Sequence, residues 1–130
     1  MPYTRLRYHL ITATHERLPI ITPNVEAVLY PALEESALNA GGRVLQLGGV
    51  ADHIHMVFAL RPTVAVSDFV RIVKTHSSRR VRAEQFKAFR WQAGYAAFTV
   101  SPNQIEKLLR YVARQKQHHA VNTVRAECEL

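Results

Sequence analysis

The sequence predicts an α+β fold, a split βαβ sandwich with one antiparallel sheet, helices on one face of it, and an extra C-terminal helix. The first observation is the order of apolar patterns, which alternate between strand and helix periods as β, α, β, β, α, β, α. The second is a glycine-rich turn between two adjacent strand-like stretches, which predicts a hairpin in the sheet. The third is a strong helix start directly after the last strand.

The composition is that of one basic globular domain. With 130 residues, of which 48% are hydrophobic, the chain can form a single domain, residues 1–130, around one core. Its 17 Lys and Arg residues exceed 10 acidic ones, and the net charge of +7 favours nucleic acid as a partner before an anionic membrane surface. The single cysteine, Cys128, excludes a disulfide framework and favours the cytoplasm. We expect no signal peptide and no membrane span.

The first half of the chain predicts a strand, a helix and a second strand. Residues 3–13 alternate loosely and are rich in β-formers, which predicts the first strand. Asn24 can cap a helix, but Pro31 interrupts its apolar pattern, so the helix is either kinked there or starts late, near Ala32. A pair of glycines ends this helix, and residues 44–47 predict the second strand, which turns back into the third.

The second half predicts a basic helix, a strand and a capped helix. Ser67 can cap the second helix, and residues 96–100 predict the last strand. Ser101 followed by proline, with Gln104 three residues on, is a capping box that starts a helix running to about Gln117. The second helix carries cations that could contact DNA phosphates, although a solvated cationic face is an equal alternative: Arg71, Lys74, Arg79 and Arg80.

A pair of histidines lies on the third predicted strand. Successive strand side chains point to opposite faces, so His53 and His55 share one face. Ile54, Met56 and Phe58 share the other face, which we expect to be core. Two neutral imidazoles on an open face can hold one divalent ion. A half-exposed polar face without a ligand is the alternative.

Tyr111 and Gln115 are four residues apart on the final helix and so lie on one side of it. A tyrosine hydroxyl can act as a nucleophile once a base or a metal assists it. A glutamine carbonyl oxygen can complete a two-histidine site for Mg²⁺ or Mn²⁺, and such a metal would polarise a phosphoryl oxygen. The alternative is that Tyr111 packs against the sheet and Gln115 faces water.

The whole chain resembles the single-tyrosine transposases that carry a His-hydrophobic-His motif, the insertion-sequence-200-like family. Four segments, in order, carry the resemblance and together span nearly the full length. They are YHL to II at 8–21, GGVADHIH at 48–55, KTHSS at 74–78, and WQAGYAAFTVS at 91–101 followed by YVARQKQHH at 111–119.

The resemblance implies a role for each matching residue. His53, His55 and Gln115 would be metal ligands, with Mg²⁺ or Mn²⁺ as cofactor, and Tyr111 would be the nucleophile. Members of this family cut single-stranded DNA beside imperfect hairpins, leave a 5′-phosphotyrosine link, and rejoin strands by the reverse attack. They act as homodimers and place the tyrosine helix against the partner's histidine pair. The family's DNA substrate also implies a bacterial cytoplasmic protein associated with the nucleoid.

Other residues and other functions complete the expectations. Asp52 could orient the imidazole of His53 from behind, His9 is expected to be structural, and Tyr95 is assigned to packing. A domesticated relative that processes palindromic hairpins, or a replication-type nickase, would have the same motifs. A ferredoxin/RRM-like sandwich could also be a non-catalytic nucleic-acid binder, but such modules stack bases on paired sheet aromatics. The central strands offer Phe58 alone, which argues against this function.

Overall fold

The computed structural model describes residues 3–116 and contains the predicted order of elements. The strands and helices are β1 (Arg7–Ala13), α1 (Pro23–Asn39), β2 (Gly42–Val50), β3 (His53–Leu60), α2 (Val66–Ala83), β4 (Ala96–Thr99) and α3 (Ile105–Ala113). A single 3₁₀ turn, His15–Arg17, follows β1. None of the helices within residues 3–116 is long and apolar enough to cross a membrane.

The four strands form one antiparallel sheet in the order β2-β3-β1-β4. The predicted hairpin is confirmed: β2 and β3 are joined by a tight turn at residues 51–52. In this register Gly48 on β2 lies opposite His55 on β3, and Ile11 on β1 lies opposite His55 on the other side. The histidine pair is therefore carried by a central strand, whose position is fixed from both sides.

One face of the sheet packs against α1 and α2 and forms the core. Ile54, Met56 and Phe58 are buried in this core, as predicted from the alternation of β3. Phe58 stacks on Phe69 of α2 with their ring centroids 4.3 Å apart. Helix α3 lies on the opposite face, where it packs over β2 and β3. The α+β sandwich with an extra C-terminal helix is thus confirmed.

The late start of α1 near Ala32 is wrong, and so is Asn24 as its cap. The helix begins at Pro23, and the Thr22 side chain caps it by accepting a hydrogen bond from the Val25 amide at 3.2 Å. Pro31 lies inside one uninterrupted helix. Its local cost is outweighed because the helix buries a continuous apolar stripe against the sheet, and tertiary packing supplies most helical stability.

The capping residues predicted for α2 and α3 are wrong as well. Ala65 precedes α2 instead of Ser67, and Gln104 precedes α3 instead of Ser101. Residues 101–104 form a turn in which the Gln104 amide donates to the Ser101 carbonyl at 3.1 Å. Helix α3 ends at Ala113, and its predicted end at Gln117 falls outside the described residues.

Candidate active site

The histidine pair lies beneath α3 and is buried. His53 is 1% and His55 0% exposed, so the prediction of an open face is wrong. The reason is the close approach of α3 to β2: a Cβ added at Gly48 would lie 1.8 Å from the Val112 carbonyl oxygen. Only glycine allows a helix backbone this near to the strand. Gly48 therefore allows α3 to cover the histidines.

Asp52 fixes the orientation of the His53 ring. Its Oδ1 lies 2.8 Å from His53 Nδ1, and its Oδ2 lies 3.5 Å from Arg17 Nε. Arg17 Nη2 is also 3.2 Å from His53 Nδ1, but a guanidinium cannot accept a hydrogen bond. We therefore infer that Nδ1 of His53 carries a proton and donates it to the Asp52 carboxylate. This arrangement directs Nε2 of His53 away from Asp52.

The electrostatics keep Asp52 ionised. Partial burial alone would raise the pKa of the Asp52 carboxyl, but the hydrogen bond from His53 and the charge of Arg17 outweigh it, and the pKa lies below its ordinary value. A carboxylate that stays charged is a strong acceptor for an imidazole N–H. The contact between Asp52 and Nδ1 of His53 is the one expected of a residue that orients the His53 ring.

Tyr111 is brought to the histidine pair of its own chain. Its ring meets the His55 ring edge-on, with centroids 5.9 Å apart and an interplanar angle of 85°. The ring is partly covered and its hydroxyl oxygen is buried. Helix α3 therefore places Tyr111 beside the histidine pair.

Gln115 is buried beside β2, the strand that pairs with the histidine strand β3. It is 1% exposed and lines a cleft with Gly48 and Gly49, so the alternative in which it faces water is wrong. Its Nε2 donates to the Tyr111 carbonyl at 3.3 Å. Its Oε1 has no hydrogen-bond partner among residues 3–116. A buried carbonyl oxygen without a protein partner costs free energy unless it binds a water molecule or an ion.

The donors present fit a divalent cation. Two imidazoles and a carbonyl oxygen suit Mg²⁺ or Mn²⁺ with open positions for water or phosphate. The Nδ1 atoms of both histidines are engaged elsewhere, since His53 binds Asp52 and His55 lies 2.9 Å from Nε2 of His9. Within residues 3–116 no three His, Cys, Asp or Glu side chains form a metal site. A third protein ligand at this place would therefore be of another residue type, for which the sequence predicts Gln115.

The basic residues of α2 lie on the other layer of the sandwich. Arg71, Arg79 and Arg80 are exposed, whereas Lys74 is half-buried, and burial lowers the pKa of its ammonium. Lys74 Nζ donates to the carbonyls of Gln92 and Gly94 at 2.7 and 2.8 Å. The structure does not bring these four residues to the histidine pair, because the sheet separates α2 from α3.

The sequence did not predict the exposure of two aromatic residues. Tyr95, assigned to packing, is 43% exposed. Phe58 lies in the core, as predicted from the alternation of β3, whereas Phe98 on β4 is 45% exposed, and its ring is tilted against the His9 ring at a centroid distance of 6.3 Å. Sequence reasoning did not single out Phe98, although alternation places it on the face of its β-sheet partner His9.

Arg17 was also missed as a site residue. It has a left-handed backbone, with φ of 53°, directly after Glu16 with φ of 55°. Two consecutive non-glycine residues in this region are strained, and such strain persists only where the surroundings impose it. Here the turn brings the Arg17 guanidinium to Asp52 and His53. The sequence offered no signal for this pairing beyond a charge in a loop.

Comparison with known proteins assigns this α+β domain to the transposases, enzymes that process DNA. The model of the family described as "Transposase IS200 like" matches residues 2–115. The chain belongs to the IS200-like transposase family. The ISDra2 transposase TnpA of Deinococcus radiodurans is 27% identical over 118 residues, which cover 85% of this chain and 84% of that protein.

Solved structures agree with this assignment. A putative transposase from Deinococcus radiodurans has a TM-score of 0.70 at 26% identity, covering 88% of this chain and 93% of that one. A REP-associated tyrosine transposase, solved bound to a REP hairpin, has a TM-score of 0.68 and covers 95% of this chain and 73% of that one. At 12% identity, the second likeness shows the fold alone.

Proposed function

We propose that this chain, as a single transposase domain, cuts and rejoins single-stranded DNA through a 5′-phosphotyrosine intermediate. Tyr111 is the nucleophile, and His53, His55 and Gln115 hold Mg²⁺ or Mn²⁺. The observation that carries the proposal is the packing of α3 on the histidine face. It sets the Tyr111 ring against His55 and buries the Gln115 carbonyl oxygen without a partner in the described chain.

The reaction is a transesterification. The bond from the Tyr111 oxygen to phosphorus forms as the bond from phosphorus to the DNA 3′ oxygen breaks. The proton that the tyrosine hydroxyl loses balances the proton that the 3′ oxygen gains. Because one phosphodiester replaces another, the reverse attack by a 3′-hydroxyl rejoins strands without ATP. When bound, a divalent ion supplies polarisation of a phosphoryl oxygen.

The chain's own residues provide positioning. Asp52 holds the His53 ring through Nδ1 and is itself held by Arg17. Helix α3 places Tyr111, and the buried surroundings of its hydroxyl exclude bulk water, which strengthens the electrostatic interactions there. Such pre-set geometry lowers the entropic part of the barrier.

We further propose a DNA hairpin as partner and a homodimer as the assembly. The solved REP-associated relative holds a hairpin, and the exposed cations Arg71, Arg79 and Arg80, with Lys74 beside them, offer this chain a phosphate-binding surface. Since α2 and α3 lie on opposite faces of the sheet, a hairpin stem bound at α2 would leave the histidine face accessible to the single strand. Helix α3 docks on its own histidine pair here, and in a dimer it can dock on that of the second copy. The protein would act on DNA in the bacterial nucleoid.

A covalent adduct tests the proposed reaction. The protein is incubated with single-stranded oligonucleotides that carry the imperfect hairpins flanking its gene, and the products are separated on a denaturing gel. We expect a protein–DNA adduct with Mg²⁺ or Mn²⁺, its loss with chelator, and its return when metal is added back. An adduct that forms equally well in chelator would contradict the metal-assisted reaction.

The salt dependence of binding tests the DNA surface. The slope of log affinity against log salt is negative, and the double variant Arg79→Ala, Arg80→Ala should make it shallower by about 1.4 to 1.8. Each lost phosphate contact removes about 0.7 to 0.9 from its magnitude. Fluorescence anisotropy with a labelled hairpin gives the slope between low and physiological salt. Arg43→Ala, an exposed arginine on β2, is the matched control and should leave it unchanged. An unchanged slope in the double variant would remove these arginines from the interface.

A further inference from the structure

A third histidine holds the second member of the pair. His9 on β1 is adjacent to β3 in the sheet, and its ring stacks on His55 with centroids 5.1 Å apart. His9 Nε2 lies 2.9 Å from His55 Nδ1. His9 is 6% exposed and His55 is fully buried, so this hydrogen bond is shielded from bulk water. Both rings and both interacting nitrogens are thus fixed by the fold.

This hydrogen bond has two arrangements, which differ in the tautomer of His55. If Nδ1 of His55 carries the proton, it donates to His9 Nε2, and Nε2 of His55 keeps a lone pair. If His9 Nε2 carries the proton, His55 accepts it and its own proton lies on Nε2, where it blocks a ligand. Only the first arrangement lets His55 coordinate a cation through Nε2.

We propose that His9 is a positioning residue that accepts the Nδ1 proton of His55 and so directs the Nε2 lone pair of His55 to the metal. This inference rests on the proposed function, because it presupposes a cation at the histidine pair. Metal-binding histidines generally donate their other N–H to a fixed acceptor, which sets the ring orientation and the tautomer.

The two histidines are then held by unlike partners. Asp52 accepts from His53 at 2.8 Å and is a carboxylate, whereas His9 accepts from His55 as a neutral imidazole. A charged acceptor raises the basicity of the imidazole it binds more than a neutral one does. His53 is then the stronger electron-pair donor to the metal, and the contribution of His55 to metal binding depends on the placement of its ring.

Manganese affinity in two His9 variants tests this role. His9→Phe keeps a ring in the core but offers no acceptor, and we expect Mn²⁺ binding by calorimetry to weaken about 10- to 100-fold. His9→Gln places an amide oxygen near the former Nε2 and should restore most of the affinity. Circular dichroism and thermal unfolding establish that both variants are folded. Recovery of the Mn²⁺ affinity in His9→Gln would distinguish a hydrogen-bond acceptor role of His9 from a role in packing alone.

Nitrogen NMR of the metal-free wild-type protein gives a readout that needs no variant. We expect the proton of His55 on Nδ1 and Nε2 of His9 unprotonated, and the opposite arrangement would overturn the inference. Wild-type protein that binds no Mn²⁺ would overturn the proposed metal site and this inference with it. Wild-type binding that persists unchanged in His9→Phe would overturn this inference alone.

Discussion

Replacement of Tyr111 by phenylalanine is expected to abolish the covalent protein–DNA adduct and leave DNA binding unchanged. The substitution removes the hydroxyl alone, so the edge-on contact with His55 at 5.9 Å can persist. A phenyl ring has no nucleophilic atom, and loss of a covalent nucleophile removes the step itself rather than slowing it. We expect no adduct at the detection limit of a denaturing gel, and hairpin affinity by anisotropy close to that of the wild type.

Tyr95→Phe is the matched control for this experiment. Tyr95 is 43% exposed in the segment before β4, so loss of its hydroxyl costs little stability and leaves α3 untouched. The Tyr95 variant should form adduct at the wild-type rate. An adduct that survives in Tyr111→Phe and disappears in Tyr95→Phe would move the nucleophile to Tyr95 and end the proposed role of α3.

The order and type of the elements could be predicted from the sequence, because apolar periodicity is a local property. The helix starts could not. Ser67 and Ser101 are good capping residues, yet α2 follows Ala65 and α3 follows Gln104. A side-chain cap contributes only about 1 kcal/mol, which packing overrides. The stacking of Phe69 on Phe58 illustrates such a tertiary contact, which the capping pattern does not contain.

The shared faces of the candidate site residues were predictable from the sequence, but the burial of the site and the contact of Arg17 with it were not. Alternation placed His53 and His55 on one face, and helical spacing placed Tyr111 near Gln115. What covers a face is decided by long-range packing, and here it depends on the absence of a side chain at Gly48. The hydrogen bond between His9 and His55 depends on how β1 pairs with β3, which is likewise a long-range property.

Gly48→Ala is expected to displace α3 and reduce adduct formation without unfolding the domain. The new methyl group would lie 1.8 Å from the Val112 carbonyl oxygen, which is backbone and cannot rotate away. Overpacking of this kind costs about 1 to 3 kcal/mol, and this shifts the docking of α3 roughly 5- to 160-fold toward the undocked state. The adduct rate should fall accordingly. In NMR spectra, undocking would remove the shift that the neighbouring His55 ring causes in the Tyr111 ring signals. Circular dichroism would report an intact core.

A mixture of one impaired and one inactive variant distinguishes docking of α3 on its own chain from docking on the partner chain. Gly48→Ala chains keep Tyr111 but have a histidine face on which α3 cannot dock closely, whereas Tyr111→Phe chains keep the native docking surface and lack the nucleophile. In the proposed homodimer, α3 of the first chain can dock on the histidine pair of the second, so the mixture should regain part of the adduct that neither variant forms efficiently alone. The adduct should be attached only to the Gly48→Ala chain, which a size tag on one variant makes visible. A mixture no more active than Gly48→Ala alone would mean that each α3 serves its own chain, as the contact between Tyr111 and His55 within one chain allows.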